Sequence, residues 1–406
     1  MADDLRDRNG RFLLAKGTSL TPKHLRVLKI WGIIEADIEN VTQDELDGGG
    51  ALNVDPRLLE AAADLIRERF SHFDLNQSPN PELFRLCALR KIDKLNGPNP
   101  ASTSISHIHP EPEIFEEGQS PDDSVAQEDI LSLIHDGISL STLPIIVMQI
   151  NEAIRNPNSS TRDIASVISR DTSLSARLLK IVNSAFYGYP SKIDTLSRAV
   201  LVIGTKQICT LAMGLKIISF FKSIPSELID MGSFLRHSVA CGIVARILAS
   251  HKNIQNVERL FVGGLLHDIG RLILYNHAPA HAKLNLTKAR RTNQLLFKVE
   301  REAMQCDHTR VGGYLLKKWK LPVSLEDMVA YHHCPMKSKD PLESSVVHIA
   351  DMVANALEMG SSGEWLVPPL DPMAWRCVGL SSNTLPIVIS ELESQFEEIS
   401  RFLLDD

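Results

Sequence analysis

The feature that most constrains the fold is a long succession of amphipathic helical patterns, separated by short turns, that begins at Gln127. Strongly apolar helices are predicted at Thr195 to Ile203 and at Thr205 to Phe221, and a final helical hairpin is predicted at Leu385 to Leu404. A helix with one apolar face is stable in water only when it packs that face against another element. The sequence therefore predicts a mainly α fold, an all-helical bundle, for the greater part of the chain.

Capping signals support this prediction. Ser160 is followed three residues later by Asp163, directly before an apolar run, which is typical of a helix N-terminus. Asp171, followed by Thr172 and Ser173, comes directly before the next apolar run, which begins at Leu174. Two helices joined by a tight turn are expected here.

The sequence before Gln127 has a different organisation. Residues 1–45 are predicted to be a small α/β module, with a helix at His24 to Ile30 and strand-like alternation at Ile34 to Val41. Residues 46–95 are predicted to be a helical segment with helices at Pro56 to Phe70 and Pro81 to Leu95. Residues 96–126 are rich in polar residues and Pro and are predicted to be a flexible linker. The helical remainder is predicted to divide into a first helical half at residues 127–225, a second helical half at residues 226–360 and a C-terminal helical extension at residues 361–406.

Composition excludes several classes of protein. A net charge of −7 argues against a general role in nucleic-acid binding. No apolar run approaches the roughly 18 residues that a membrane span needs, and the charged N-terminus is unlike a secretory signal. The six cysteines are widely spaced without a CxxC pair, which predicts reduced thiols in or near the core. We therefore expect a cytoplasmic protein with no membrane partner.

Metal-ligand-type side chains form an ordered series in the second half of the chain. They are His237, His267, Asp268, His308, His332, His333 and Asp351. Imidazoles and carboxylates on separate helices converge around a shared object, such as a divalent cation or a phosphate held by one. Mixed nitrogen and oxygen donors suit one or two ions of Fe, Mn, Zn or Ni. The alternative is that some of the 14 histidines fall in this order without sharing a site.

The spacing within this series predicts local geometry. Adjacent helical residues diverge by about 100°, so His267 and Asp268 reach one cation only near a helix end, and Gly270 is predicted to end that helix. His348 and Asp351 stand three residues apart and therefore share a helix face. This arrangement predicts His348 as a supporting partner of the site.

Six motifs between residues 128 and 360 carry a family resemblance. They are Leu143-Pro144, Ile168 to Leu174, Leu178 to Gly188, Ala199 to Gly204, Gly264 to Gly270 and Tyr331 to His333. Together they resemble the HDOD family, the HD-related output domain of bacterial signalling proteins. The resemblance implies an all-helical fold and a regulatory role, often with little or no catalysis. The first 45 residues also resemble a short module found ahead of HD-type signalling domains.

The second half, residues 226–360, is additionally similar to the HD-GYP phosphodiesterases, which hydrolyse cyclic dinucleotides at a clustered metal site. On this resemblance the seven residues match the metal ligands in order. Arg271 stands where a phosphate-contacting Lys is usual, which makes it a phosphate-binding candidate. Two departures are evident: Ser233 replaces a carboxylate one turn before the first histidine, and residues 334–341 replace the signature Gly-Tyr-Pro loop.

Two functions from different classes follow. The first is a non-catalytic signalling module, in which residues 128–225 bind a signalling protein partner or a nucleotide second messenger and the HD-like half is a structural or ligand-sensing remnant. The second is a metal-dependent phosphohydrolase, a phosphodiesterase acting on a nucleotide or cyclic dinucleotide. The missing loop favours the first. A DNA-binding role through the helix-turn-helix pattern at Thr161 to Val182 is a further alternative, which the acidic charge opposes.

Overall fold

A computed structural model describes residues 4–6, 12–19, 21, 24, 55–96, 143–189, 191–221 and 224–404. The chain divides into two compact units, Met1–Asp64 and Leu65–Asp406. The predicted linker, residues 96–126, lies outside the described residues except for its first residue, and so do residues 127–142. Across the described residues the prediction of a mainly α-helical chain is confirmed.

The first unit contains two short strands. Strand β1 (Leu5–Arg6) pairs antiparallel with β2 (Phe12–Leu14), with Leu5 opposite Leu14. The helix predicted to start at His24 and the strand predicted at Ile34 to Val41 lie outside the described residues beyond His24 itself. Helix α1 (Pro56–Arg67) spans the boundary between the units.

The second unit begins with a helical pair. A 3-10 turn at Glu68–Phe70 follows α1, and α2 spans Asn80–Asn96. Phe70 packs edge-on against Phe73 and Phe84, with ring centroids 5.4 and 5.0 Å apart. The two helices predicted in this segment are confirmed to within one residue at each end, counting the 3-10 turn as part of the first.

Five helices form the next part of the second unit. They are α3 (Ile145–Arg155), α4 (Thr161–Ser169), α5 (Thr172–Val182), α6 (Leu196–Ile203) and α7 (Thr205–Ile218). The predicted capping box is present, because the Asp163 N–H donates to the Ser160 side chain and the Ser160 N–H donates to the Asp163 carboxylate. Asp171 accepts from the Leu174 N–H. These caps satisfy backbone donors that the first turns of α4 and α5 would otherwise leave unpaired.

Ten α-helices make up the rest of the second unit as described, and the first of them, α8, is long and buried. They are α8 (Met231–His251), α9 (Val257–Leu266), α10 (Ile269–His277), α11 (Pro279–Thr292), α12 (Leu296–Met304), α13 (His308–Lys318), α14 (Val323–Tyr331), α15 (Pro341–Ala356), α16 (Pro372–Val378) and α17 (Leu385–Leu404). Helix α8 packs against α9, α15 and α17. Gly264 permits a close approach of α9 to α8, since a Cβ there would lie 2.6 Å from the Cys241 carbonyl oxygen.

The C-terminal prediction needs one correction. Leu385–Leu404 is one continuous helix and not a hairpin. The segment contains no internal Gly, and its single Pro386 falls in the first turn, where proline is compatible with a helix.

Among the described residues no single helix is both long and apolar enough to cross a membrane, although α6 and α7, bent by 118° at Gly204, meet the length and composition criteria as a pair. The six cysteines are all free, and the predicted placement in the core holds for four of them, Cys87, Cys209, Cys241 and Cys306, whereas Cys334 and Cys377 are half-buried.

Candidate metal centre

His267 and Asp268 lie at the junction between α9 and α10. Helix α9 ends at Leu266, and Asp268 is the residue before α10 begins. The expectation that the pair sits near a helix end is confirmed, but Gly270 does not end that helix. It lies in the first turn of α10, where a Cβ would be 1.9 Å from the His308 carbonyl oxygen, so its missing side chain lets α10 meet α13.

Helices distant in sequence bring His237 and Asp351 to the same point. His237 is on α8 and Asp351 is on α15. Asp351 Oδ1 lies 3.3 Å from His237 Nε2 and 3.4 Å from His267 Nε2. Asp268 Oδ2 is 3.3 Å from the same His267 nitrogen. Two carboxylates and two imidazoles therefore share one small volume.

The other predicted histidines extend this cluster on its far side. His308 is the first residue of α13, and its Nε2 lies 3.0 Å from Asp268 Oδ1. His332 directly follows α14, with its Nε2 3.4 Å from that of His308. The His333 ring stacks on Phe297 at 4.2 Å, and one of its donor atoms lies within 4.8 Å of donors from His308 and His332. All seven predicted ligands are thus brought together.

The donor atoms fall into overlapping groups, each compact enough to surround an ion. One comprises His237, Cys241, His267 and Asp351, another His267, Asp268 and His332, and a third His308, His332 and His333. Because the groups share His267 and His332, the same residues would hold one ion or two, and a pair of ions is typical of phosphodiester hydrolysis.

Hydrogen bonds outside the cluster fix the ring tautomers. His267 and His332 each donate from Nδ1 to the carbonyl three residues earlier, Gly264 at 2.7 Å and Val329 at 2.9 Å. These carbonyls belong to the last turns of α9 and α14, which lack helical partners. In each neutral ring the Nε2 lone pair therefore faces the cluster, as a metal ligand requires.

His308 is held in the same way by a carboxylate. Its Nδ1 donates to Glu300 Oε2 at 2.6 Å, and its backbone N–H donates to the same oxygen at 3.0 Å. Outer partners of this kind orient a ligating histidine and raise its basicity. Glu300 lies eight residues before His308, and the sequence offered no periodic signal that would have identified it.

Unpaired buried atoms show that the cluster fits a cation. His267 Nε2, Asp268 Oδ1 and His333 Nε2 are buried and make no hydrogen bond, although charged neighbours lie close to the first two. Inward-facing acceptors at separations of 3.0–3.9 Å would repel one another without an intervening positive charge. The residues present therefore suit a divalent cation.

The electrostatics point the same way. Burial opposes the charged form of His267, but the adjacent Asp268 and Asp351 raise the pKa of this ring to about 10. Burial likewise opposes charge on His308, and Glu300 raises its pKa to about 9. Burial and the neighbouring His267 lower the pKa of His332 to about 3. Positive charge is therefore stabilised at His267 and His308, beside the carboxylates, and either protons or a metal ion can supply it there.

Arg271 is placed deep beside the centre. It is 1% exposed, its Nη1 donates to Ser362 Oγ at 2.9 Å, and its Nε lies 3.4 Å from Asp268 Oδ1. Burial opposes its charge, but Asp268 raises the pKa of the guanidinium. These contacts engage two of its nitrogens within the protein. Its role as a phosphate ligand stays a prediction.

His348 supports the cluster from outside, as predicted from its spacing. Its Nδ1 donates to the His332 carbonyl at 2.7 Å, and its Nε2 accepts from the Asp371 N–H at 2.9 Å. Burial lowers its pKa, which keeps the ring neutral and both bonds intact. His348 thus fixes the backbone between the paired histidines.

Sequence reasoning did not identify two residues close to the ligands. Cys241 Sγ lies 3.6 Å from His237 Nε2, one helical turn along α8, and burial raises the pKa of the thiol well above its usual value. The i, i+4 spacing from His237 is a signal that could have found it. Asn355 Nδ2 donates to Asp351 Oδ1 at 2.7 Å, again one turn along a helix.

The fold and this cluster define a mainly α-helical protein with a buried histidine and aspartate centre. Residues 140–335 match the family model of the HDOD domain. The chain therefore carries an HDOD domain, as its motifs predicted. The matching segment ends before Asp351, so one candidate ligand lies beyond it.

Two solved structures share the fold. An HDOD domain protein with unknown function from Geobacter sulfurreducens is 20% identical, with a TM-score of 0.53, over 69% of this chain and 99% of that chain. A protein provisionally named a phosphohydrolase, from Shewanella amazonensis SB2B, is 21% identical, with a TM-score of 0.55, over 67% of this chain and 98% of that chain. At this identity the likeness shows the fold alone.

One curated relative matches in sequence. An uncharacterized protein from Treponema pallidum (strain Nichols) is 26% identical over 193 residues, which is 47% of this chain. The match spans 37% of that relative's own length.

Proposed function

We propose that this protein is a regulatory HDOD module whose metal centre supports structure or sensing and does not catalyse hydrolysis. Burial of the centre is the observation that carries this proposal. Six of the seven candidate ligands are between 0 and 3% exposed: His237, His267, Asp268, His308, His332 and Asp351. A phosphodiester must contact the ions and the groups beside them to be hydrolysed, and these side chains offer it almost no accessible surface.

A loop after α15 contributes to this closure. Ser362 is fully buried, and its carbonyl accepts from the Tyr275 hydroxyl at 2.7 Å while its side chain accepts from Arg271. The Ser361 N–H donates to the Ser233 carbonyl at 3.1 Å, which ties the same loop to the first turn of α8. Substrate entry from this side would break a set of buried hydrogen bonds, each costly to leave unmade.

An open groove lies elsewhere in the described part of the chain, between α4, α5 and the start of α6. A groove of about 710 Å³ there is lined by an apolar floor that includes Ala165, Ala176 and Leu179, with hydroxyl side chains around it. The hydroxyls come from Ser166, Ser169, Thr172, Ser175, Thr195 and Ser197, and the charged members are Arg162 and Asp194. A volume in the range of small-molecule sites, roughly 300–1,000 Å³, supports binding of a signalling ligand or a segment of a partner protein at this groove.

An activity comparison tests the absence of catalysis. The full chain is incubated with Mn²⁺ or Fe²⁺ and either bis(p-nitrophenyl) phosphate or cyclic di-GMP, beside the Asp268→Ala variant. We expect equal, background turnover from both proteins. Turnover by the wild type that disappears in Asp268→Ala would contradict the proposal.

Substitution in the groove tests the regulatory surface. Ala176→Arg places a large side chain in the groove, whereas Ser173→Arg, an exposed position on the same helix that does not line it, is the matched control. In a pull-down from the native organism, we expect bound protein or ligand to be lost in Ala176→Arg and retained in both Ser173→Arg and Asp268→Ala. Equal retention by all three folded variants would exclude the groove.

The second candidate is the phosphohydrolase. Overlapping donor groups that suit two ions favour it, since a bound divalent cation would polarise a phosphoryl oxygen and lower the pKa of bound water. Asp268 would orient His308 and balance Arg271 beside such a site. The activity comparison above decides between the two functions.

A further inference from the structure

Arg69 joins the segment before the HDOD match to the C-terminal end of α15. Its Nη2 donates to the Asn355 carbonyl at 2.9 Å, its Nε donates to the Trp365 carbonyl at 3.1 Å, and its Nη1 pairs with Glu358 at 3.0 Å. The Val367 N–H donates to the Arg69 carbonyl at 2.8 Å. A rigid, planar guanidinium is suited to hold three acceptors at once.

The position of Arg69 matches an electrostatic need of α15. The last carbonyls of a helix carry a partial negative charge, so a cation that bonds to one of them is stabilising. The Asn355 carbonyl also accepts from the Glu358 N–H at 3.1 Å, and Arg69 adds a charged donor to it. The Arg69 side chain is 11% exposed, so solvent screens this interaction little. Arg69 therefore fixes the last turn of the helix that carries Asp351.

Asn355 links that turn to the metal centre. Its side-chain amide donates to Asp351 Oδ1 at 2.7 Å, and it is 2% exposed. The same Asp351 oxygen faces His237 Nε2 and His267 Nε2. A shift of Asn355 would thus move or rotate the carboxylate that completes this side of the cluster.

We propose that Arg69 is a positioning residue of the metal centre, which acts through Asn355 on Asp351. The inference rests on the proposed function only in requiring that the centre binds a metal. It means that the centre depends on residues on both sides of the HDOD match at 140–335, with Arg69 before it and Asn355 and Asp351 after it. The segment around Arg69 then becomes a place from which metal occupancy can be altered without contact with a ligand.

The test measures the affinity of the full chain for Co²⁺. Binding is detected by the visible absorption of Co²⁺, which also reports the coordination of the ion. The variants are Arg69→Met, Asn355→Leu and the double variant. Arg85→Met is the matched control, since Arg85 lies in the same segment and its guanidinium bonds to Glu82, among the described residues, and not to α15. Arg69→Lys keeps the charge but not the three-way geometry, and it serves if Arg69→Met does not fold.

Loss of an outer partner of a metal ligand lowers affinity by about 10- to 100-fold, so we expect that loss in Asn355→Leu. Arg69 acts one residue further from the ion, so we expect Arg69→Met to lower the Co²⁺ affinity by about 3- to 10-fold. Arg69→Lys should lower it less, and Arg85→Met should leave it unchanged. In the Asn355→Leu background, Arg69→Met should have no further effect on affinity or on the Co²⁺ spectrum.

Three outcomes overturn the proposal. The first is unchanged affinity in Arg69→Met. The second is an equal loss from Arg69→Met with and without Asn355→Leu, because it would show that Arg69 does not act through Asn355. The third is a wild type that binds no Co²⁺, Zn²⁺ or Mn²⁺, which removes the metal-loaded centre of the proposed function as well. The first two leave that centre standing.

Discussion

Gly270→Ala is the substitution for which the structure gives the sharpest expectation. An added Cβ would lie 1.9 Å from the His308 carbonyl oxygen and 2.8 Å from the Gly312 nitrogen, where ordinary contacts begin at about 3.4 Å. Both atoms belong to the backbone of α13 and cannot rotate away. Helices α10 and α13 must therefore separate by about 1.5 Å locally, the difference between 3.4 and 1.9 Å.

Two opposing effects set the magnitude. Alanine stabilises a helix by up to about 1 kcal/mol relative to glycine, the full value applying to a helix interior and Gly270 lying in the first turn of α10. Overpacking a core costs about 1–3 kcal/mol and sometimes more. Since the overlap here is with backbone, we take about 3 kcal/mol for the second effect. The free energy of unfolding should fall by about 2 kcal/mol, the difference of the two.

The same displacement should disrupt the metal centre. His308 Nε2 lies 3.0 Å from Asp268 Oδ1, and ligand positions in a metal site are tolerant to only about 0.2 Å. Movement of α13 by several times that distance should lower metal content after dialysis to well below that of the wild type. Stability is measured by urea unfolding of the metal-free protein, and metal content by elemental analysis.

Gly232→Ala is the control for this experiment. The atoms nearest to its added Cβ would be those of the Asp230 carboxylate, the first at 3.3 Å, and Gly232 lies in the first turn of α8. We expect a change in stability of less than about 1 kcal/mol and an unchanged metal content. If Gly270→Ala were as stable and as metal-rich as the wild type, the argument that a close approach of α10 and α13 builds the centre would be refuted.

Three further expectations follow from the structure. Ser160→Ala removes both bonds that the Ser160 hydroxyl makes with Asp163 and should lower the free energy of unfolding by about 1 kcal/mol in urea titrations, with no change in metal content. Glu300→Gln removes the charge that bonds His308 and should weaken Co²⁺ binding by about 10- to 100-fold, whereas the exposed Glu302→Gln on the same helix should not. Chelation should lower the thermal midpoint of the wild type, because binding at 1,000 times Kd stabilises by about 4 kcal/mol; a chelator response retained in Asp268→Ala would place the ion elsewhere.

Local signals accounted for much of the helical architecture. The capping box at Ser160 and the N-cap at Asp171 each depend on residues three positions apart, so they could be predicted from the sequence. The end of α9 before Asp268 followed from the need of two adjacent residues to face one point. Gly270 was assigned the wrong role because a glycine that ends a helix and one that admits a neighbouring backbone have the same sequence signature.

The seven candidate ligands were predictable as a set, since their chemistry and their order along the chain are both properties of the sequence. The residues that hold these ligands in place were not predictable. Glu300, Cys241 and Asn355 contact the ligands, yet a glutamate, a cysteine and an asparagine at those positions are ordinary in a helical protein. Only the packed helices show which polar side chains reach a ligand.

The sequence by itself determined the helices, their caps and the residues capable of binding a metal ion, because each of these depends on residues close together in the chain or on side-chain chemistry. Tertiary structure decided the burial of the centre, its tautomers and the reach of Arg69 to α15. Those properties depend on how far apart helices pack, and that distance is set by contacts between residues far apart in the chain, such as the bond from Arg69 to Asn355, which joins residues 286 positions apart. No periodicity along the chain encodes such a separation.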